Sequence, residues 1–146
     1  MKTAVLISCT KSKREYPCKA RLLYDKSSKF RKSLEYAKTI SFDIFAISSK
    51  YGLISLDTVI EPYDEPLDEK KKEERRAWGH RVAEQINKEF DIQNTEFVIL
   101  AGKDYCEPLQ AHLPHIQLPL CGLRQGECLA ELDKLLRDTE SKGEPK

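Results

Sequence analysis

Three short runs of apolar, largely β-branched residues constrain the fold of this chain more than any other feature. They are TAVLIS at residues 3–8, DIFAIS at 43–48 and EFVILA at 96–101. Each run is continuous rather than alternating, which is typical of strands covered on both faces, as in a parallel sheet. Helix-like segments separate the runs. The sequence therefore predicts repeated right-handed strand–helix crossovers.

Four amphipathic segments supply the helices of this pattern. The spacing of apolar residues predicts helices over about 27–39, from near Asp68 for roughly twenty residues, over about 104–112 and over about 124–137. The buried stripe of the second helix is an apolar residue at every fourth position: Trp78, Val82, Ile86 and Phe90.

The predicted fold is a single three-layer α/β domain over residues 1–138, followed by a frayed tail at 139–146. Its mostly parallel sheet has about four or five strands, with helices on both faces and HIQLPL as a weak strand. The segment from Ser49 to about Leu67 contains Gly52 and two prolines, and we predict that it is irregular. A chain of 146 residues is long enough for one well-buried core.

The net charge of +1 conceals two unlike parts. Residues 1–50 contain 12 Lys and Arg against 4 Asp and Glu, a net +8, whereas residues 51–146 carry 13 against 20, a net −7. This asymmetry favours an anionic partner at one face, although a solvated loop and helix face would look the same. The candidate nucleic-acid-binding face comprises Lys19, Arg21, Lys29, Arg31 and Lys32.

The five cysteines indicate reduced thiols rather than a disulfide framework. Their number is odd, none form CxxC, and no Cys/His spacing is typical of a zinc site. The stretch before Ser8 is too short for a signal peptide, and no apolar run approaches the roughly 18 residues of a membrane span. We expect a cytoplasmic protein with no cofactor, no bound metal and no membrane contact, its oligomeric state being left open.

Each predicted strand is followed by a polar or glycine-bearing segment. These segments are SCTKSK, SSKYGL, AGKDY and LCGLRQG, which begin at residues 8, 48, 101 and 120. Because the carboxyl ends of parallel strands meet at one edge of a sheet, we expect the four segments to cluster there.

The first segment carries the strongest anion-binding signal. Small hydroxyl groups and free backbone N–H groups after a strand form a nest for an anion, and lysines add charge, so Ser8, Lys11 and Lys13 are candidate phosphate ligands. A lysine-rich solvated loop is the alternative. The GxxxxGK[ST] pattern is absent, so this is not a P-loop. In the third and fourth segments, Gly102 would permit close ligand approach and Gly122 lies in a turn that could present N–H groups.

The candidate catalytic residues lie in two places. Cys9 would be a nucleophile if neighbouring lysines lowered its pKa, although a buried thiol closing the strand is the simpler interpretation. Tyr51 and Tyr63 offer flat faces for a nucleobase, or they cover the sheet edge. Asp64 is our candidate acid or base, because a carboxylate beside such a pocket can activate water or stabilise a sugar cation. The three histidines are poorly placed for catalysis, which disfavours a Ser–His or Cys–His mechanism.

Several motifs, taken together, resemble those of a family of bacterial, archaeal and phage proteins. They are SCTKSK, Ala20 with Leu23 and Tyr24, SSKYGLI, EPYDEPL and a Pro-Leu-x-Gly turn. That family is distantly similar to the YaaA peroxide-stress proteins and to the core of archaeosine synthase. The resemblance covers residues 3–135 and implies a uracil-DNA-glycosylase-like α/β domain. The positions it implies as a pocket are Ser8, Cys9, Lys11, Lys13, Tyr24, Ser49, Lys50, Tyr51, Gly52, Pro62, Tyr63, Asp64 and Gly122. Glu127 and Cys128 stand where the resemblance leads us to expect a basic or small residue after Gly126. This departure weakens the case for a phosphate-binding role of the 122–128 turn.

The leading hypothesis is a pocket for a nucleotide, a nucleoside or a flipped base, with N-glycosidic hydrolysis or transfer as the reaction. The alternative is a non-catalytic DNA- or RNA-binding module in stress response or DNA protection, which the basic first third would suit.

Overall fold

The computed structural model describes residues 1–8, 16–23, 27–61, 67 and 70–142. In chain order its strands are β1 (Lys2–Ser8), β2 (Cys18–Lys19), β3 (Asp43–Ser48), β4 (Gly52–Ser55), β5 (Val59–Ile60), β6 (Thr95–Leu100) and β7 (Ile116–Gln117). Its helices are α1 (Ala20–Leu23), α2 (Ser28–Ile40), α3 (Lys72–Glu89), α4 (Lys103–Gln110) and α5 (Gln125–Lys142), with a 3₁₀ turn at Ile92–Asn94. No helix in this part of the chain has the length and apolar character needed to cross a membrane.

The main sheet has five strands in the order β4-β3-β1-β6-β7. Strand β1 is central and runs parallel to both β3 and β6, β6 is parallel to β7, and only the outer pair of β3 and β4 is antiparallel. The predicted mostly parallel sheet and the α/β class are therefore confirmed. All three apolar runs form strands, and β3 has the predicted bounds.

Helices cover both faces of this sheet, because the side chains of β1 alternate between two apolar clusters. Val5 and Ile7 pack in one cluster with residues of α2 and α5, such as Phe30 and Leu132. Leu6 packs in the other cluster, with residues of α3 and α4. This alternation explains the continuous apolar run, since both faces of a strand between two helix layers are buried. The three-layer prediction is confirmed.

The buried stripe predicted for the long helix is also confirmed. Trp78, Val82 and Ile86 are buried, and Phe90 packs against the same cluster just after α3 ends. The helix begins at Lys72 rather than near Asp68. The Glu74 carboxylate accepts a hydrogen bond from the Lys71 N–H at 3.1 Å, which satisfies one of the otherwise unpaired donors at this helix start.

The prediction of an irregular segment from Ser49 to Leu67 is wrong for the part that the structure describes. Residues 52–55 form β4, an antiparallel edge strand on β3, and β5 pairs with β2 in a separate two-stranded ladder. The Gln85 side chain of α3 accepts the outward N–H of Leu53 at 2.9 Å. This bond satisfies a donor on an edge strand that would otherwise be exposed for pairing.

The carboxyl-terminal helix extends past the predicted domain boundary. The sequence predicts that the ordered domain ends at residue 138, but α5 continues to Lys142. Its inner side packs through Cys128 and Leu132 on the cluster that also contains Phe30 of α2. A side-chain ion pair between Lys32 and Asp133 also links the two helices.

Candidate functional site

The carboxyl ends of β1 and β6 lie side by side at the centre of the sheet. Beyond β1 the chain continues to α2 on one face, and beyond β6 it continues to α4 on the opposite face. The gap between two such strands is a topological switch point, the usual position of a ligand crevice in open α/β sheets. We use the term carboxyl edge for Ser8, Ser48–Gly52, Leu100–Lys103 and the 118–124 turn, which end or follow β1, β3, β6 and β7.

Ser8 lies at the centre of the carboxyl edge. It is 4% exposed, and its hydroxyl donates a hydrogen bond to the Leu100 main-chain carbonyl, 3.5 Å away on β6. The hydroxyl thus spans the gap between the two central strands. A ligand that uses this hydroxyl as a donor would have to compete with that bond.

The turn after β3 is organised by Ser48. Its hydroxyl accepts the N–H groups of Lys50 and Tyr51 at 3.1 and 3.0 Å, and its main-chain carbonyl accepts the indole N–H of Trp78 at 2.9 Å. Ser49 is buried, whereas Lys50 is exposed. The turn therefore holds a lysine at the carboxyl edge on a rigid, hydrogen-bonded backbone.

Tyr51, a predicted stacking residue, already has close neighbours. Its half-buried ring packs against the apolar cluster that contains Val5 and Ile7, and the Lys50 ammonium lies 5.4 Å from the ring centroid. A cation at this distance from a ring interacts favourably with it. Base stacking on Tyr51 stays a prediction.

The three predicted glycines of the site have different environments. Gly52 is buried with φ +74°, and a Cβ there would lie 2.2 Å from the Gln85 Oε1, so this glycine serves the turn and the packing of α3. Gly102 and Gly122 have open space where a Cβ would be. Of these three, Gly102 and Gly122 permit the close backbone approach that a ligand requires, and Gly52 does not.

Two thiols, Cys106 of α4 and Cys121 of the 118–124 turn, interact at the carboxyl edge. The Cys106 thiol of α4 is buried and donates to the Ala101 carbonyl at 3.3 Å, just past the end of β6. The pKa of Cys106 is raised to about 12, mainly by burial and also by the neighbouring Cys121 thiol, whereas the Lys29 ammonium opposes this rise. Lys29 is in the first turn of α2, and its charge acts on Cys106.

The five residues predicted as one nucleic-acid-binding face lie on three elements, β2, α1 and α2. Lys19 is paired with Val59 in the small ladder, and Arg21 forms an ion pair with Asp57 at 2.8 Å, lining a groove beside the exposed Phe42. Arg31 and Lys32 line a different groove, of about 480 Å³ between α2 and α5, to which Lys29 does not contribute. Neither groove is lined by all five residues, and their assignment to one face stays a prediction.

Several predicted residues lie outside the described part of the chain: Cys9, Lys11, Lys13, Tyr24, Pro62, Tyr63 and Asp64. Their assigned roles stay predictions. His80, expected to be solvated, is exposed, with its Nε2 3.1 Å from a Glu84 carboxylate oxygen and its ring against that of His112. Within the described ranges, no three His, Cys, Asp or Glu side chains are grouped as a metal site requires.

Sequence reasoning missed three contributors to the edge: the Trp78 indole, Cys106 and the position of Lys29. The apolar spacing identifies Trp78 only as a core residue, although a buried tryptophan needs a partner for its N–H. That requirement was the available signal. No sequence signal indicated that Cys106 and Cys121 lie beside each other, because their positions depend on how β7 pairs with β6.

Comparison with known proteins adds a family but no activity. A model described as a family of unknown function (DUF6884) matches residues 4–134, which is most of the chain. No curated protein and no solved structure matches the chain. The predicted relation to YaaA and to archaeosine synthase stays a prediction.

Proposed function

The chain belongs to the DUF6884 family of unknown function, and from its own site we propose that the carboxyl edge binds a nucleotide or nucleoside. The observation that carries this proposal is the switch point between β1 and β6, because α2, which comes after β1, and α4, which comes after β6, pack on opposite faces of the sheet. Such a crevice presents backbone N–H groups and strand ends to a ligand without disturbing the core.

Charge at this edge favours an anionic group on the ligand. Lys50 in the turn after β3 and Lys103 at the start of α4 belong to this edge, and Lys29 of α2 acts electrostatically on Cys106 beside it. Lys103 is partly neutralised, since its ammonium lies 3.5 Å from the Glu107 carboxylate. Lys29 and Lys50 are therefore the two cations we assign to phosphate.

The open glycines suit the rest of such a ligand. Gly102 begins α4 with extended backbone and nothing within 4 Å of the point where a Cβ would lie, and Gly122 has φ +81° with equal space. Backbone N–H groups at such positions can bond directly to phosphate or to base edges. The Ser49 hydroxyl, with Lys50 beside it, would complete this set.

The reaction we assign to the edge is hydrolysis or transfer at an N-glycosidic bond. Asp64 would act as acid or base, Tyr51 or Tyr63 would stack on the base, and Lys11, Lys13 and Ser8 would hold phosphate. Glycosidic cleavage passes through a sugar cation, which a carboxylate stabilises. Cys9 is the alternative nucleophile, and a non-catalytic binding function is the alternative to any reaction.

Binding is tested first, by titrating the protein with nucleoside monophosphates and following Trp78 fluorescence. Trp78 is the single tryptophan of the chain and is hydrogen-bonded to the Ser48 carbonyl, so it reports on the turn. We expect saturable binding that weakens about tenfold in Lys29→Ala and Lys50→Ala, as loss of a charged hydrogen bond predicts. The matched control is Lys88→Ala, an exposed lysine in the last turn of α3. Equal loss in all three variants, or no binding, contradicts the proposal.

Turnover is tested separately, by chromatographic detection of free base after incubation with nucleosides, nucleotides and DNA containing modified bases. We expect Asp64→Asn to abolish base release while leaving nucleotide binding in place. Turnover that persists in Asp64→Asn removes the role of this carboxylate but not the binding site. Binding without turnover of any substrate leaves the edge as a binding site alone.

Nucleic-acid binding is the second candidate, favoured by the groove between α2 and α5. Arg31, Lys32 and Arg137 line this groove, which would suit a phosphate backbone. However, Lys32 pairs with Asp133, and Glu35 also lines the groove, so little net positive charge remains. We rank it below the carboxyl edge for that reason.

A further inference from the structure

Cys106 and Cys121 bring two thiols together from different elements. Cys106 belongs to α4, while Cys121 lies in the 118–124 turn after β7. Both pack on the apolar cluster beneath α3 and α4, and the two thiols are within hydrogen-bonding reach of each other. No sequence motif marks the pair, since fifteen positions separate them in the chain.

We propose that Cys106 and Cys121 are a reversible oxidation site, which closes to a disulfide across the carboxyl edge. The two residues differ in access: Cys106 is fully buried, and Cys121 is half-buried. Cys121 is therefore the thiol that meets a dissolved oxidant, and Cys106 is the resolving thiol. This proposal does not depend on the ligand assigned to the edge.

The oxidant class is a small disulfide such as oxidised glutathione. The Cys121 thiolate attacks one glutathione sulfur, forming a mixed disulfide and releasing one glutathione thiolate. The Cys106 thiolate then attacks the Cys121 sulfur and displaces the second glutathione. Two electrons pass from the protein thiols to the glutathione disulfide, and the two thiol protons are taken up by the released glutathione thiolates or by buffer.

The second step is the slower one, because Cys106 is a poor thiolate. Burial raises its pKa to about 12, with Cys121 and Glu107 acting in the same direction and Lys29 opposing them. Once Cys121 is part of the mixed disulfide, its thiol no longer raises the pKa of Cys106. Glutathionylated protein should therefore accumulate first and convert to the internal disulfide more quickly as the pH rises.

Closure would join two segments of the carboxyl edge. Ala101, whose carbonyl accepts the Cys106 thiol proton, directly precedes the open Gly102, and Cys121 directly precedes the open Gly122. A covalent bond between the thiols would fix the distance between these two glycines. It would also close a short loop, which restricts the unfolded chain and raises Tm.

The test is incubation of the intact protein with oxidised glutathione, followed by non-reducing peptide mapping. The expected result is a linked pair of peptides carrying Cys106 and Cys121, reversed by dithiothreitol and accompanied by a higher Tm. Cys121→Ser should abolish the link, and Cys18→Ser, which changes a half-buried thiol elsewhere, should leave it unchanged. Circular dichroism of Cys121→Ser checks that this variant is folded.

Three outcomes overturn the proposal. One is a mixed glutathione disulfide that never converts to the internal one at any pH from 7 to 9. Another is a link from Cys121 to Cys9 or to Cys128, which would identify a different resolving thiol. The third is recovery of both thiols unmodified while Cys18 reacts. None of these results affects the nucleotide-binding proposal, which has its own titration.

Discussion

The indole N–H of Trp78 donates a hydrogen bond to the main-chain carbonyl of Ser48 across 2.9 Å. Trp78 lies on α3 and Ser48 ends β3, so the bond connects the core of the helix layer to the turn that carries Lys50 and Tyr51. Tyr105 of α4 packs edge-on against the same indole at 5.3 Å. A core residue thus helps to fix the geometry of the carboxyl edge.

Replacing Trp78 by phenylalanine should lower the free energy of unfolding by about 1–3 kcal/mol, since the variant loses a buried hydrogen bond and some apolar volume. The measurement is urea unfolding followed by circular dichroism, because the variant has no tryptophan. Phe42→Leu, at a fully exposed aromatic residue, is the control and should change stability by no more than about 0.5 kcal/mol. An unchanged Trp78→Phe variant would mean that the indole bond contributes nothing.

Gly52→Ala should be more destabilising than Gly122→Ala, although both glycines have positive φ, of +74° and +81°. Both variants should lose about 1 kcal/mol to backbone strain. Only the Gly52 variant must also displace Gln85, whose Oε1 accepts the Leu53 N–H. The measurement is the same unfolding curve for each variant. Gly102→Ala, at φ −77° with open space, is the unstrained control.

A double-mutant cycle separates the two causes at Gly52. In a Gln85→Ala background the steric part of the Gly52→Ala effect should disappear, leaving the strain shared with Gly122→Ala. Equal effects of Gly52→Ala in the two backgrounds would show that Gln85 moves aside at no cost. The edge strand β4 would then be less dependent on α3 than the structure indicates.

The central strands could be predicted from sequence, whereas β4 could not. In β1, residues Ala4 to Ser8 are all buried, so one-dimensional hydrophobicity carries the signal. Strand β4 is four residues long, begins at a glycine and depends on pairing with β3 and on a hydrogen bond from its own backbone to α3. Those are tertiary interactions, and they outweigh a local pattern that reads as a turn.

The position of the candidate site was predictable for a similar reason, and its detailed composition was not. Strand ends of a parallel sheet meet at one edge whatever their sequences, so Ser8, Ser49 and Gly102 could be assigned to it. The basic cluster is spread over more than one element, because Arg21 lies on α1 whereas Lys29 and Arg31 lie on α2. Proximity in sequence gives a shared surface only within one helix face or strand face.

Stability should fall as the pH rises above about 8.5, the usual pKa of a free cysteine, because of Cys106. Its pKa is raised in the fold to about 12, so the unfolded state releases this proton first and gains stability relative to the fold. The contribution is fully present below the unfolded pKa and is lost progressively as the pH approaches the folded value. Cys106→Ala should remove this part of the slope.

The measurement is the free energy of unfolding from urea titrations under reducing conditions between pH 7.5 and pH 10. Burial and Glu131 raise the pKa of Tyr36 from 10.0. Ionisation of Tyr36 therefore contributes little to the change in the free energy of unfolding within this pH window. The wild-type curve should fall more steeply than that of Cys106→Ala, by up to about 1.4 kcal/mol per pH unit. Parallel curves for the two proteins would contradict a buried, protonated Cys106.

Charge reversal in the groove between α2 and α5 should separate the two candidate functions. The Arg31→Glu/Arg137→Glu variant changes two residues of that groove, and neither belongs to the carboxyl edge. If the edge is the ligand site, nucleoside monophosphate affinity should fall by less than the roughly tenfold expected of Lys29→Ala, because neither arginine is assigned to the phosphate, and added salt should reduce this change by screening. If the groove binds nucleic acid, affinity for duplex DNA should instead fall strongly, with a flatter dependence of log K on log salt.

The measurements are nucleotide titration by Trp78 fluorescence and DNA binding by anisotropy at several salt concentrations, with Lys88→Glu as the control for a reversed surface charge elsewhere. We expect the first outcome, because Asp133 and Glu35 already offset much of the positive charge of the groove.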